Sequence, residues 1–182
     1  MSLYNHAANK DDILDGMVET VVSEINDVVS EIDAPSGDWK TAMRQRVLSA
    51  REILLRHRWA PGVMESRKFV TPAMSRYFDS MIGLFREAGF STDLTHHSMH
   101  ALGSRALGFT QELWDDKQVP SSPEEMAVLI QQTAAEYPNS SAMLKEITHD
   151  ADTTLGWCDD QVEFEFALDL ILDGLERLRQ TT

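Results

Sequence analysis

The stretch Thr95-His96-His97-Ser98-Met99-His100 holds three of the chain's six histidines, and their spacing is the first chemical signal. On a helix, His96 and His100 are four apart and share a face, as do His97 and His100 at three. Such a pair can hold zinc, but zinc sites take three or four protein ligands. No cysteine or acidic pair stands nearby to complete the set, and Glu112 is three turns further on. The other readings are polar groups lining a ligand pocket, or interface and surface histidines. Arg105 sits mid-helix in an apolar context, where a buried guanidinium needs a carboxylate or a ligand anion. With Glu112 two turns away and Glu165 or Asp169 as further partners, a structural ion pair is the favoured reading. Cys158 is the only cysteine, so an internal disulfide and a multi-cysteine zinc site are excluded, in keeping with a reducing compartment. There is no Ser/His/Asp or Cys/His grouping and no glycine-rich phosphate loop. An enzyme would have to rest on the histidines alone.

The chain that positions these residues has 182 of them, 42% apolar and 25% charged, the balance of one globular domain. Its net charge of −14 argues against nucleic-acid binding by this chain alone, because phosphate contacts need basic side chains. No apolar run reaches the ~20 residues of a membrane span. Residues 1–14 show neither the basic start nor the apolar stretch of a signal peptide, so the cytoplasm is the expected compartment.

Hydrophobic periodicity predicts an all-α fold. Ile13, Met17, Val21, Ile25 and Val28 form one stripe behind an Asn9/Asp11 cap, and Trp39, Met43, Val47, Ala50 and Leu54 form a second behind Asp38 or Ser36. Pro61 starts a short helix. Thr71-Pro72 opens another that stops at Gly89, a left-handed cap. Ser91 caps a helix over 92–116, two weaker helices follow at 123–136 and 139–148, and the last runs over 160–179. Two of these are apolar on more than one face, the 92–116 helix and the last one, which predicts a symmetric helix-bundle dimer. Phe164, Leu168, Ile171 and Leu175 are the expected contacts on the last helix. Gly103 and Leu107 are expected on the other, where Gly103 and Gly108 would permit close backbone approach.

The opening residues "LYNHAANKDDILDGMV" resemble the junction in tetracycline-repressor (TetR) family regulators where the recognition helix meets the first core helix. Leu3, Tyr4, His6, Asn9, Lys10 and Leu14 fit that pattern, with Ile13 a mild substitution. The likeness continues through Trp39, "LLRHRWA" at 54–60, "GLFREAGFS" at 83–91, "LGFTQE" at 107–112 and "FEFALDLILDGLE" at 164–176. It implies a TetR-like C-terminal helical domain that dimerises through a four-helix bundle. Residues 1–10 would be the remnant of the DNA-recognition helix and its junction, and 11–182 the effector-binding and dimerisation domain. Tyr4 and His6 would once have faced DNA and Lys10 a phosphate. Operator DNA would then be reached only through a head missing from this chain.

The resemblance also carries over an effector pocket, position by position. Asn26 stands where tetracycline repressors have a drug-contacting histidine, Arg46 where they have asparagine, and Ala50 where they have phenylalanine. Met64 replaces the histidine that holds drug-bound magnesium, and Met81 replaces a glutamine. Glu112 matches the acidic residue that reaches the metal through water, and an Arg46–Glu112 pair is conceivable. His96, Met99 and His100 complete the expected lining. Methionine is a poor ligand for magnesium, so no metal or cofactor is expected. The methionines suit a larger apolar or aromatic effector, or else they fill core. The expected protein is a cytoplasmic homodimeric regulator core, a repressor, without enzymatic activity. The alternatives are a small helical metal-dependent enzyme and a ligand-free dimeric interaction module.

Overall fold

The computed structural model describes residues 9–32, 38–66, 70–108, 122–146 and 160–181, with the side chains of 104–108, 123, 126, 143–146 and 160 excepted. Every element among them is a helix: α1 Lys10–Ser30, α2 Trp39–Arg56, α3 Ala60–Ser66, α4 Pro72–Glu87, α5 Thr92–Gly108, α6 Pro123–Thr133, α7 Pro138–Glu146 and α8 Asp160–Thr181. The expected all-α fold is therefore the observed one. Residues 109–121 lie outside the description, so the extension of α5 toward 116 does too.

Short polar side chains start these helices where the sequence places them, by accepting from backbone N–H groups that have no partner inside the helix. Asn9 accepts from the Asp12 N–H at 2.9 Å, Asp38 from that of Thr41 at 3.0 Å, and Thr71 from that of Met74 at 3.2 Å. Ser91 and Ser122 do the same for Leu94 and Glu125, each at 3.2 Å. Gly89, at φ 84°, ends α4. The Gly89 N–H donates to the Arg86 carbonyl and the Phe90 N–H to that of Phe85, at 3.0 and 3.1 Å. This is the two-bond left-handed termination that glycine permits, and its hydrophobic partner is present as Phe85 and Phe90 rings 4.8 Å apart.

The chain divides into two compact units, 1–110 with 167–182, and 111–166. In the first, α1 lies at the centre. Its Val21, Ile25 and Val29 pack with Ala50, Ile53 and Leu54 of α2 and with Ala60, while Val18 and Val22 pack with Ala73 of α4. Trp39, Phe85 and Phe90 form an aromatic group with centroids 4.8–5.8 Å apart. The end of α8 is fastened antiparallel to α2. Trp39 Nε1–H donates to Glu176 at 2.8 Å, Lys40 pairs with Asp173, and Arg44 pairs with Asp169 at 2.8 Å. In the second unit α6 and α7 meet at Thr133 and Ser141, whose hydroxyls are 3.4 Å apart.

Burial corrects the expected partner-facing side of α8. Phe164, Leu168 and Leu175 are buried and Ile171 is half-buried, so their apolar area is committed within the chain. The large apolar side chains that α8 leaves exposed are Val162, Phe166, Leu170 and Leu178. Three- and four-residue spacing picks out two stripes on this helix equally well, and only the packing tells them apart. Among the described residues there is open space where Gly103 would carry a side chain, so no close approach among them explains that glycine. The side chain of Leu107 lies outside the description.

Candidate ligand-binding site

Polar groups are gathered inside the apolar core between α1, α2 and α4. Asn26 of α1 donates through Nδ2 to the Ala73 carbonyl at 2.9 Å. Arg46 of α2 donates through Nη1 to the Ser80 carbonyl at 3.2 Å and through Nη2 to the Ile32 carbonyl at 3.4 Å. Its Nε is fully enclosed and has no hydrogen-bond partner. Tyr77 of α4 packs against both apolar clusters, as does Met64 of α3. The Tyr77 side chain is half-buried. Burial pushes its pKa up to about 12, opposed by the positive charge of Arg46 close by. It is therefore a neutral donor at physiological pH.

Glu19 of α1 supports this arrangement from the rim. Its two oxygens accept the Ala73 N–H at 2.9 and 3.2 Å, and Arg76 approaches one of them at 3.4 Å. A hydrogen bond from Thr71, then that from Ala73, holds its carboxyl below the usual range. Both polar groups of the Ala73 backbone are thus held by α1, the N–H by Glu19 and the C=O by Asn26. A shift of α1 relative to α4 must disturb at least one of them.

Of the expected pocket residues, Ala50 and Met64 share one apolar cluster, and Asn26 and Arg46 each donate to a backbone carbonyl of α4. Ala50 is buried in the α1–α2 cluster, and Met81 is buried on α4 but belongs to neither cluster. His96 and His100 do not join them. The inner side of α5 is Leu94, Thr95, Ser98 and Leu102, all buried. His96, His97 and His100 lie half a turn away, exposed, with Met99 half-buried at the edge. The His96 and His100 rings stand 4.6 Å apart, and His97 lies 3.7 Å from Asp93. Among the described residues no group of three or more His, Cys, Asp or Glu side chains could hold a metal ion. Lys10 is exposed at the start of α1. Tyr4, His6 and Glu112 lie outside the described residues, as does the side chain of Arg105.

Sequence reasoning missed two inward polar groups. Tyr77 shares the face of Met74 and Met81 at helical spacing, which was the available signal. Thr95, whose Oγ1 is also buried without a partner among the described residues, was hidden by the histidines beside it.

The chain matches the family model for the tetracyclin repressor-like C-terminal domain over residues 33–179. A crystal structure of a possible TetR family transcriptional regulator from Streptomyces coelicolor A3(2) superposes with a TM-score of 0.72 at 27% identity, over 97% of this chain and 82% of that one. The Streptomyces coelicolor TetR family protein ActR in complex with actinorhodin gives 0.70 at 21% identity, over 97% and 80%. ActR in complex with (S)-DNPA gives 0.69 at 23%, over 96% and 79%. At those two identities the likeness to ActR is one of fold. No curated protein sequence matches the chain.

Proposed function

Because the chain belongs to the tetracycline-repressor family of transcriptional regulators, we propose that it is the effector-binding and dimerisation core of a ligand-responsive regulator, a repressor. The observation that carries this reading is the half-buried polar set of Arg46, Tyr77 and Asn26 set among the apolar clusters of α1, α2 and α4. Buried polar groups are normally satisfied, and here the enclosed Nε–H of Arg46 has no partner among the described residues, with the Tyr77 phenol close enough to feel its charge. A small, largely apolar or aromatic molecule would bury itself against Ala50, Met64 and the α1 valines and meet those donors. That the same fold in ActR holds actinorhodin in one crystal and (S)-DNPA in another is in keeping with an internal site.

Ligand can bias such a protein only by binding two of its states unequally. Helix α1 is the element to carry that difference. It forms one wall of the site and grips Ala73 of α4 from both sides. A DNA-binding head preceding Lys10 would then follow its tilt, and operator DNA would be met through that head. The dimer would form through the exposed apolar face of α8, Phe166, Leu170 and Leu178, repeated about a two-fold axis.

The test is titration with N-phenyl-1-naphthylamine, an uncharged aromatic probe that fluoresces when enclosed. The wild-type chain should bind one probe per copy and saturate. Ala50→Trp fills the same volume and should abolish binding while helicity is retained. Unchanged saturable binding by Ala50→Trp would refute the site.

A further inference from the structure

From the enclosed, unbonded Nε–H of Arg46 we infer that the effector carries an acidic group, a carboxylate or an equivalent oxyanion, which Arg46 receives. This rests on the ligand-core reading above and names the chemical class that the site selects.

The inference follows from where the positive charge goes. Arg46 is half-buried on α2, and among the described residues its hydrogen bonds run to two backbone carbonyls, Ser80 at 3.2 Å and Ile32 at 3.4 Å. Both bonds are long for N–H···O, and both acceptors are neutral. Among the described residues no carboxylate lies within ion-pair distance of it. Elsewhere in this acidic chain cations find carboxylates readily, as Lys40, Arg44, Arg56 and Arg179 do. A buried cation is ordinarily paired, since desolvation without a partner is costly. Here the Nε–H is enclosed and unbonded, and arginine presents that edge to a carboxylate in a two-point geometry.

Tyr77, close enough for the charge of Arg46 to act on its hydroxyl, offers a second donor. Two donors and one positive charge without a counter-charge among the described residues, with Tyr77 packed in one cluster with Met64 and Ala50, match an aromatic acid rather than an amine or an uncharged hydrocarbon. An amine would meet Arg46 as a like charge. A hydrocarbon would leave Nε as it is, at a cost that an oxyanion removes.

The experiment is displacement of bound N-phenyl-1-naphthylamine by 2-naphthoate and by 2-naphthamide, which differ in charge and hardly in shape. The wild-type chain should prefer the acid at least tenfold. Arg46→Met should reduce that preference to within twofold while still binding the reporter. Arg46→Lys keeps the charge and should retain part of the preference, which separates lost charge from lost struts to Ile32 and Ser80. Equal displacement by acid and amide in the wild type, or an acid preference that survives Arg46→Met, overturns the inference and leaves the ligand core standing. Failure of the reporter to bind the wild-type chain overturns both.

Discussion

Glu176 ties the last helix to the second, and its titration makes that tie measurable. Its carboxylate accepts the Nε1–H of Trp39 at 2.8 Å, two N–H groups of Arg179 at 2.6 and 2.9 Å, and the Gln180 amide at 2.7 Å. Arg179 first, then Trp39, holds the carboxyl down at about 2, against an ordinary 4.5. A folded-state pKa below the unfolded one gives stability that is complete above about 4.5 and lost as pH falls through about 2. The difference sets a ceiling of about 3 kcal/mol at neutral pH. With 26% of the side chain open to water, solvent screening reduces this to ~1.5 kcal/mol.

Glu176→Gln keeps an acceptor for Trp39 and removes the charge, so it should cost ~1.5 kcal/mol at pH 7. Glu176→Ala also strands the Nε1–H of Trp39, a residue only 4% exposed, and should cost ~1–2 kcal/mol more. Urea unfolding followed by tryptophan fluorescence measures both. Between pH 6 and pH 3 the gap between wild type and Glu176→Gln should shrink to less than half. A Glu176→Gln protein as stable as wild type at pH 7 refutes the reasoning. So does a gap that is unchanged at pH 3.

Three other perturbations probe separate parts of the account. Phe166→Glu with Leu170→Glu, at positions 61% and 57% exposed, should leave the chain folded and convert a dimer to a monomer in sedimentation velocity. Leu168→Glu, at a fully buried position, should unfold it. Tyr77→Phe removes a hydroxyl without a partner, so its thermal midpoint should equal or exceed that of wild type, with a change within about 0.5 kcal/mol. A loss above ~1.5 kcal/mol would show that the hydroxyl is bonded in the protein. Gly89→Ala forces a side chain into the left-handed region at φ 84° and should cost ~1–2 kcal/mol in urea unfolding, through strain at the end of α4.

The helices were legible in the sequence because their signals are local. Asn9, Asp38, Thr71, Ser91 and Ser122 cap in the structure, and a cap depends on a few neighbouring residues. Which stripe of a two-faced helix turns inward is a tertiary matter. On α8 the stripe of Phe164, Leu168, Leu172 and Leu175 is taken up by the core. That of Phe166 and Leu170 looks equally apolar in one dimension. On α5 the chemically conspicuous histidines are outside, and the inconspicuous Thr95 and Ser98 are inside. Ser98 can be buried because its hydroxyl donates to the Leu94 carbonyl one turn back, at 2.7 Å. The resemblance to tetracycline repressors singled out Asn26, Arg46, Ala50 and Met64 as pocket positions. It gave no hint of Tyr77, or of a guanidinium whose Nε–H turns inward unpaired, because those depend on side chains from α2 and α4 meeting in space.

The most direct test of a ligand-binding core is the position of a bound molecule. Crystals of the chain soaked with 6-bromo-2-naphthol, recorded at the bromine absorption edge, would give that position without reference to any effector. The account predicts one anomalous peak per chain inside the volume bounded by Ala50, Met64 and Tyr77. Bromine found only at the surface, with the interior closed by side chains at saturating naphthol, would contradict it.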